Sequence, residues 1–411
     1  MSTIAAASSK AGLSETAAPR VVSIDISRGL TMALMIFVNA LADVRGLPWW
    51  TYHAPTMVDE MTYVDMVFPF FLFIVGMSLP LSVTQRLKRS ASQRALWAHV
   101  GQRFLSLLVL GLILANAEKA TPALTGMSGS VWGLCALVCA ALYLNVYMPS
   151  KRWPHYSTVL RTLGLAGVVV LLALFRRTTP QGQVAWIDFR YPEILGLIAF
   201  AYLSVCILYI PTRRWRWAPL VWFALLVALC CFSTAKMLAL PVHLPLYVWP
   251  FGNGSSALLV MAGVIASSIF LGEGARSNLR RTMLLAAGFA LVMFAAGRLL
   301  TPLGISKNRA TPTWALYCVG AGILVFALLY LACDVKQWTK WAFFVRPAGS
   351  NTLLTYLLPD LWRYSIASMG IVAYEAHFST GWQGVVKTCL FTVLILSISG
   401  AMTKAKVRLQ L

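Results

Sequence analysis

The chain has 411 residues, of which 59% are hydrophobic and only 11% are charged. Because soluble domains usually carry about 25% charged residues, this composition excludes an ordinary soluble globular protein. The formal net charge of +21 is better explained by basic residues in the cytoplasmic loops of a membrane protein than by nucleic-acid binding. The eight cysteines lie in or beside apolar segments without a CxxC pair, so neither a disulfide framework nor a metal site is indicated.

Twelve apolar segments follow one another along the chain. Each is close to the roughly 20 residues that cross a bilayer as a helix, and their length and continuous apolar character favour helices over barrel strands. We therefore predict an all-α, polytopic membrane protein with about twelve transmembrane helices. The predicted segments are 25–43, 62–84, 100–117, 128–148, 158–175, 191–210, 217–236, 256–272, 282–300, 312–333, 348–367 and 383–403.

The distribution of basic residues predicts that both termini lie on the inner side of the membrane (N-in and C-in). Both ends of the chain and every second connection carry three to five Lys or Arg residues, as the positive-inside rule requires. Residues 1–19 are rich in Ala, Ser and Thr and predict a flexible cytoplasmic tail, whereas residues 20–411 form a single predicted transmembrane domain. Gly76, Gly111 and Gly263 predict close contacts between helices.

The first two segments and their connecting loop, residues 20–84, carry the most evident chemistry. Ionisable side chains are costly in a bilayer and mark functional sites by default. Asp25 and Arg28 lie at the start of the first segment, and Asp65 lies just inside the second. The loop between them contains one histidine, His53, among Trp, Tyr and Pro residues. We interpret this hairpin as the catalytic module.

The polar residues of this hairpin recur at set places in apolar sequence. They are D-x-x-R-G from Asp25, F-V-N ending at Asn39, the loop histidine His53 and D-x-V-F-P from Asp65. Further matches are R-Y-P-E-I-L-G at 190–196, K-N-R at 307–309 and G-S-N-x-L-L-x-Y at 349–356. Together they resemble the heparan-α-glucosaminide N-acetyltransferase family of transmembrane acyltransferases, which includes bacterial NagX-like (DUF5009) proteins. Residues 128–175 add two apolar segments to the family pattern and are interpreted as an inserted helix pair.

The resemblance implies an acyltransferase that moves an acetyl group from cytoplasmic acetyl-CoA to a glucosamine-type amino sugar at the periplasmic side. His53 matches the catalytic histidine of the family, and an imidazole near neutral pH can act as a base or as a transient acyl acceptor. Asn39 could donate to the thioester carbonyl, or it could cap a helix end. Asp65 either orients His53 or binds the acceptor, or it pairs with Arg45.

Two residues on the predicted inner side are candidates for binding CoA. Arg28 stands three residues after Asp25, so the two can pair on one face of a helix, but a guanidinium also suits CoA phosphates. Asn351, near the inner start of the eleventh segment, is the second candidate. The other inner basic residues, including Arg86 and Arg89, are interpreted as determinants of topology and contacts with lipid headgroups.

Several residues are candidates for binding the acceptor sugar. They are predicted on the outer side or along segments 6 and 11. Each could line a cavity or form a hydrogen bond with a neighbouring helix. An aromatic belt at the membrane interface would also account for the tryptophans. These candidates are Trp49, Trp50, Glu193, Lys307, Asn308 and Asp360.

A transporter for an amino sugar such as N-acetylglucosamine is the alternative function. Twelve segments with both termini inside are common among transporters, but the loop after the second segment lacks a G-x-x-x-D-R signature and no inverted repeat stands out. The expected partners are acetyl-CoA, the amino sugar, membrane lipids and, as an open possibility, a second copy of the chain. The expected location is a bacterial inner (plasma) membrane.

Overall fold

A computed structural model of the chain describes residues 21–90, 92–149, 153–238, 242–272, 275, 277–371 and 378–410. The predicted tail, 1–19, lies outside the described residues. Each of the twelve predicted segments overlaps a helix of at least 16 residues. The first six are α1 (Val22–Leu41), α2 (Val64–Ser90), α3 (Gln93–Ala117), α4 (Gly129–Leu144), α5 (Tyr156–Leu174) and α6 (Glu193–Thr212). The others are α7 (Ala218–Thr234), α8 (Ser255–Leu271), α9 (Leu279–Leu299), α10 (Pro312–Tyr330), α11 (Thr352–Ser368) and α12 (Gly381–Lys404).

Among the described residues, short elements connect these helices. A two-residue antiparallel pair, β1 (Arg177–Thr178) and β2 (Val184–Ala185), lies between α5 and α6. The remaining pieces are helical turns at Trp49–Thr51, Pro122–Thr125, Thr301–Leu303, Leu331–Val335, Lys340–Phe344 and Arg346–Ser350. The predicted all-α class is confirmed.

Eight of these helices are long and apolar enough to cross a membrane, namely α1, α2, α3, α5, α6, α9, α10 and α12. Helices α4, α7 and α8 are apolar but shorter, and α11 has 17 residues and carries Asp360 and Arg363. The chain is thus a multi-pass membrane protein. The number of twelve crossings and their orientation remain predictions.

Helix α1 lies at the centre of the functional end of the fold, because it contacts α2, α10, α11 and α12. Its partner α2 packs along α8 at very short range. A Cβ atom on Gly76 would lie 1.8 Å from the carbonyl oxygen of Val260, and one on Gly263 would lie 1.9 Å from that of Phe73. Only glycine permits this backbone approach, so the predicted role of these two glycines is confirmed.

The beginning of α1 and the residues that follow α12 lie at the same end of the molecule. The carboxylate of Asp334 accepts hydrogen bonds of 3.1 Å from the backbone N–H groups of Val22 and Ser23, which caps α1 with a negative charge. The same end contains Gly349, since a Cβ there would touch the backbone oxygen of Asp25. The loop that carries His53 therefore lies at the opposite end, where α1 finishes and α2 begins.

Candidate active site

Hydrogen bonds to a tyrosine shape the loop that joins α1 to α2. The hydroxyl of Tyr52 donates to the carbonyl oxygen of Val44 at 2.6 Å and accepts from the N–H of Leu47 at 3.2 Å. The hydroxyl of Thr62 donates to the carbonyl oxygen of Tyr52 at 2.8 Å. Both flanks of the loop are thereby tied to the residue that precedes His53.

His53 and Asp65 form a dyad across this loop. Nδ1 of His53 lies 2.7 Å from Oδ1 of Asp65, and the carboxylate side chain is 1% exposed whereas the imidazole is 40% exposed. Because an ionised carboxylate only accepts hydrogen bonds, Nδ1 of His53 is the donor, and in the neutral imidazole Nε2 is then the acceptor. The geometry favours the prediction that Asp65 orients His53 over the alternative of an ion pair with Arg45.

The Asp65 carboxylate is itself held by the backbone. Its Oδ2 accepts from the N–H groups of Thr62 at 3.0 Å and Ala54 at 3.2 Å, and the indole N–H of Trp314 donates to the Asp65 backbone carbonyl at 3.1 Å. Asp65 also lies in the first turn of α2, where the helix dipole favours a negative charge. These contacts fix the carboxylate, and it in turn fixes the imidazole.

A second loop, between α9 and α10, closes over the dyad. Nζ of Lys307 lies 3.2 Å from both ring nitrogens of His53, and the Asn308 amide donates to the Ala54 carbonyl at 3.3 Å. Arg309 forms an ion pair with Asp59, and the hydrogen bond from Arg309 holds the pKa of Asp59 below its usual value. Lys307 and Asn308, predicted to contact the acceptor, thus contact the His53 loop.

Asn39 does not join this cluster. Its side chain is exposed near the end of α1, and among the described residues no hydrogen bond connects it with His53. It faces an outer cavity of about 590 Å³ that α1, α11 and α12 enclose with the start of α6. The dyad and Asn39 are therefore at the same end of the bundle but in separate surroundings.

The outer cavity also contains the two carboxylates predicted from the later segments. Oε2 of Glu193 accepts from the hydroxyl of Tyr356 at 3.2 Å, and Asp360 pairs with Arg363 at 3.3 Å. Glu193 adopts a φ of 61°, which a side chain with a Cβ rarely does. Its carboxylate thus remains at the cavity wall despite a backbone conformation that glycine would adopt more easily.

An inner cavity of about 560 Å³ lies at the opposite end of the bundle, between α1, α2, α3 and α6. Arg28 lines it, with a guanidinium 3.6 Å from the Asp25 carboxylate and hydrogen-bonded to the hydroxyl of Ser78. The predicted pairing of Arg28 with Asp25 is thus observed, and the arginine still faces the cavity. The other basic residues that line the inner cavity were not predicted as ligands; they are Arg86, Arg89, His99 and Arg103.

One of these arginines has an unused donor. Nε of Arg103 is buried and has no hydrogen-bond partner among the described residues, and its guanidinium lies 4.7 Å from the centre of the Tyr202 ring. Their spacing could have identified this group, because Arg86 and Arg89 stand three apart on α2 and His99 and Arg103 four apart on α3. Such pairs share one face of a helix.

The two cavities lie along one face of α1. Val21, Ile24, Asp25 and Arg28 line the inner cavity, and Met32, Met35, Ile36, Asn39 and Asp43 line the outer one. At about 100° per residue, these positions fall within roughly one third of the helix circumference. Met32 and Met35, the first two of these outer-cavity residues along α1, are 1% and 4% exposed.

The other predicted site residues have different surroundings. The amide of Asn351 donates to the hydroxyl of Thr403 at 3.0 Å and the carbonyl of Val407 at 2.8 Å, and it accepts from the N–H of Leu409. Asn351 therefore holds the segment after α12 in place. These contacts do not support the prediction that it binds CoA, which stays a prediction. Trp49 and Trp50 are 65% and 51% exposed on the turn before His53, as either a sugar platform or an interfacial belt requires.

Comparison with known proteins agrees with the resemblance found in the hairpin. A family model described as "Domain of unknown function (DUF5009)" matches residues 20–249, more than half of the chain. The heparan-alpha-glucosaminide N-acetyltransferase of Homo sapiens is 38% identical over 98 residues, which are 24% of this chain and 14% of that protein. The enzyme of Mus musculus is 36% identical over 101 residues, 25% of this chain and 15% of its own. The matched region thus spans about one seventh of the curated relatives, and the family match places the chain in the DUF5009 family of membrane proteins.

Proposed function

We propose that the protein is an acetyl-CoA-dependent membrane acetyltransferase that acetylates the amine of a glucosamine-type sugar. The observation that carries the proposal is the placement of a His53–Asp65 dyad and a basic cavity at opposite ends of the same two helices, α1 and α2. We further propose that the basic cavity faces the cytoplasm and the dyad the periplasm of a bacterial inner membrane, in agreement with the distribution of basic residues.

The residues of the inner cavity fit the phosphate groups of CoA. Four arginines and a histidine face the space, and Asp25 is the acidic residue among the described lining residues. The buried, unpartnered Nε of Arg103 supports an anionic ligand, because a buried donor without an acceptor costs about 1–3 kcal/mol. We expect Arg28, Arg86, Arg89 and Arg103 to hold the phosphates, as guanidinium groups do elsewhere.

The face of α1 offers a route for the acyl end of the donor. Arg28 and Asn39 lie about 16 Å apart along the helix at 1.5 Å per residue, a distance that the extended pantetheine arm of CoA can cover. Met32 and Met35 occupy the intervening stretch, and unbranched methionine side chains adapt readily to a passing chain. In this arrangement the thioester reaches the end of the bundle at which the outer cavity and the His53–Asp65 dyad both lie.

The dyad supplies the base for the transfer. Nε2 of His53 removes a proton from the sugar amine as the amine nitrogen bonds to the carbonyl carbon and the carbon–sulfur bond breaks. The proton then passes to the departing thiolate of CoA. A positioned base of this kind contributes about 10²–10⁴ to the rate, and Asp65 stabilises the imidazolium that forms between the two steps. We expect Glu193 and Asp360 to bind the ammonium or hydroxyl groups of the acceptor, with Trp49 and Trp50 at the entrance.

The test measures sugar-dependent release of CoA by the purified protein in detergent, with radiolabelled acetyl-CoA and glucosamine. We expect His53→Ala to lower labelled N-acetylglucosamine formation at least about 100-fold while acetyl-CoA binding at the distant cavity is retained. His243→Ala is the matched control and should leave activity unchanged, because none of the described hydrogen bonds or ion pairs of His53 and Asp65 involves His243.

The transporter alternative makes the opposite prediction. Uptake of labelled amino sugar into proteoliposomes, with no turnover of acetyl-CoA by the wild-type protein on any amino sugar, would overturn the enzymatic proposal. Transfer that survives His53→Ala at the wild-type rate would retain the enzyme but remove the dyad from its mechanism.

A further inference from the structure

Lys307 contacts the dyad in an unusual way. Its Nζ lies 3.2 Å from Nδ1 and 3.2 Å from Nε2 of His53. The lone pair of an unprotonated ring nitrogen lies in the ring plane and points away from the ring. A donor aligned with one such lone pair would be closer to that nitrogen than to the other, so equal distances indicate a position over the ring. The contact is thus mainly electrostatic and leaves Nε2 open.

The charged groups that face His53 come from three parts of the chain. Asp65 of α2 contributes a carboxylate at 2.7 Å, and the loop before α10 contributes Lys307. The nearby Asp59 and Arg309 form an ion pair, so together they contribute no net charge. Burial lowers the pKa of Lys307, and the Asp65 carboxylate opposes this shift, so the amine lies in a partly desolvated place between acid and imidazole.

These neighbours act on the imidazole in opposite directions. A carboxylate on Nδ1 stabilises imidazolium, and a cation next to the ring stabilises neutral imidazole. With Asp65 alone, His53 would hold its proton more tightly and would be less available as a base. A cation at 3.2 Å compensates for part of that effect.

We propose that Lys307 is a positioning residue that keeps His53 neutral beside Asp65 and thereby keeps Nε2 available as a base near neutral pH. This role rests on the proposed function, but the effect of Lys307 on the charge of His53 does not. It differs from the predicted role of Lys307 as a ligand of the acceptor, because its effect passes through the imidazole.

The first test is the pH dependence of kcat/KM in two variants. Lys307→Met removes the charge and keeps a similar side-chain length, so the pKa of His53 should rise and the acid limb of the profile should move to higher pH by about one unit. Lys307→Arg keeps the charge and should keep the limb within a few tenths of a unit of the wild type. A role confined to sugar binding would raise KM for the sugar in Lys307→Met and leave the limb in place.

The second test needs no enzymatic activity. The ¹³C-labelled histidine signals of the protein are titrated by NMR in detergent, and the signal that disappears in His53→Ala identifies His53. We expect a higher His53 pKa in Lys307→Met than in the wild type and in Lys307→Arg, with Lys307→Gln as the replacement if the Met variant does not fold. An unchanged or lowered His53 pKa in the folded, uncharged variant would overturn the proposal, whereas an inactive wild-type protein that shows the shift would overturn only the proposed function.

Discussion

The two cavities along α1 differ in their charged groups although one helix lines both. The inner cavity is surrounded by guanidinium groups, with one carboxylate among its described lining residues. The outer cavity combines three carboxylates with two basic residues, Arg363 and Lys387, and also has an amide, a tyrosine hydroxyl and apolar methionine and isoleucine side chains. The inner cavity thus suits an anionic group, and the mixed charges of the outer one suit a polar ligand with several hydrogen-bonding groups.

Because the cavities differ, we expect substitutions in each of them to change a different kinetic constant. If the inner cavity holds the acyl donor and the outer one the acceptor, changes at each end should affect the KM of one substrate only. Changes in the methionine stretch between them should lower kcat, because they obstruct transfer without removing a ligand. The following five changes, at four positions, test that separation.

The largest effect among these changes is expected at Arg103, whose Nε has no hydrogen-bond partner among the described residues. Arg103→Gln removes a charge that would pair with phosphate, and a charge-assisted hydrogen bond contributes about 1.5–3 kcal/mol. We expect KM for acetyl-CoA to rise about 10- to 100-fold, with KM for the sugar unchanged. Arg214→Gln serves as the control, because Arg214 is exposed and does not line the cavity. A uniform loss for both substrates would contradict the separation.

A smaller effect is expected between the cavities. Met32→Phe enlarges a fully buried side chain on the shared face of α1 and should lower kcat by obstructing the route of the acyl chain. The overpacking itself should cost about 1–3 kcal/mol of stability, which thermal unfolding in detergent measures separately. Binding of acetyl-CoA, measured by equilibrium dialysis, should remain within about twofold of the wild type. Leu34→Phe is matched in helix and chemistry but lies on an exposed face, so it should change neither quantity. Equal losses in both variants would exclude a route along α1.

Glu193 offers a test at the outer cavity. Glu193→Gln replaces the carboxylate by a neutral amide that can still form a hydrogen bond. It should raise KM for the sugar about fivefold and leave KM for acetyl-CoA unchanged, because a hydrogen bond to a charged group is stronger than a neutral one by about 1 kcal/mol.

Glu193→Gly tests the backbone at the same position. Because φ is 61° there, glycine should relieve about 1 kcal/mol of strain, so we expect KM for the sugar to rise while the melting temperature in detergent increases. A variant that binds sugar normally would show that the strained carboxylate has no role in recognition.

The smallest effect is expected at the ion pair that joins the His53 loop to the loop before α10. Asp59→Asn should lower kcat about twofold or less, because exposed ion pairs contribute little. The lowered pKa of Asp59 means that the carboxylate is charged above its ordinary pKa of 3.8 and that the ion pair is lost as the pH falls through the lowered value. The loss should therefore be visible only well below pH 4, by hydrogen exchange of the 54–60 backbone.

Much of this arrangement could be predicted from single positions in the sequence. Apolar runs identify all twelve helices, because burial in lipid and protein demands continuous apolar sequence. The prediction that Asp65 orients His53 agrees with the observed dyad, since the carboxylate lies at the start of a helix that follows the histidine loop. The glycines of α2 and α8 were likewise identifiable as contact points.

Other features could not be predicted from the sequence. Lys307 and His53 are separated by more than 250 residues, and only the packing of the loop before α10 against the α1–α2 loop brings them together. Asn39 and His53 lie in separate surroundings, because the α1–α2 loop carries the histidine away from the face of α1 that lines the outer cavity. Arg86 and Arg89 of the inner cavity were assigned to topology and lipid headgroups, since charge counts cannot show that side chains of α1, α2 and α3 converge.

The sequence by itself therefore determined the class of the protein, the positions of its helices and its family, and it left a contact between Asp65 and His53 as one of three alternatives. The class, the helices and the family follow from local composition and from short spacings, which act over one or two turns of a helix. Only the tertiary structure decided that Asp65 contacts His53, that two differently charged cavities share one face of α1, and that Lys307 lies over His53. Such relations depend on how distant helices pack, because packing selects which face of each helix meets its neighbours.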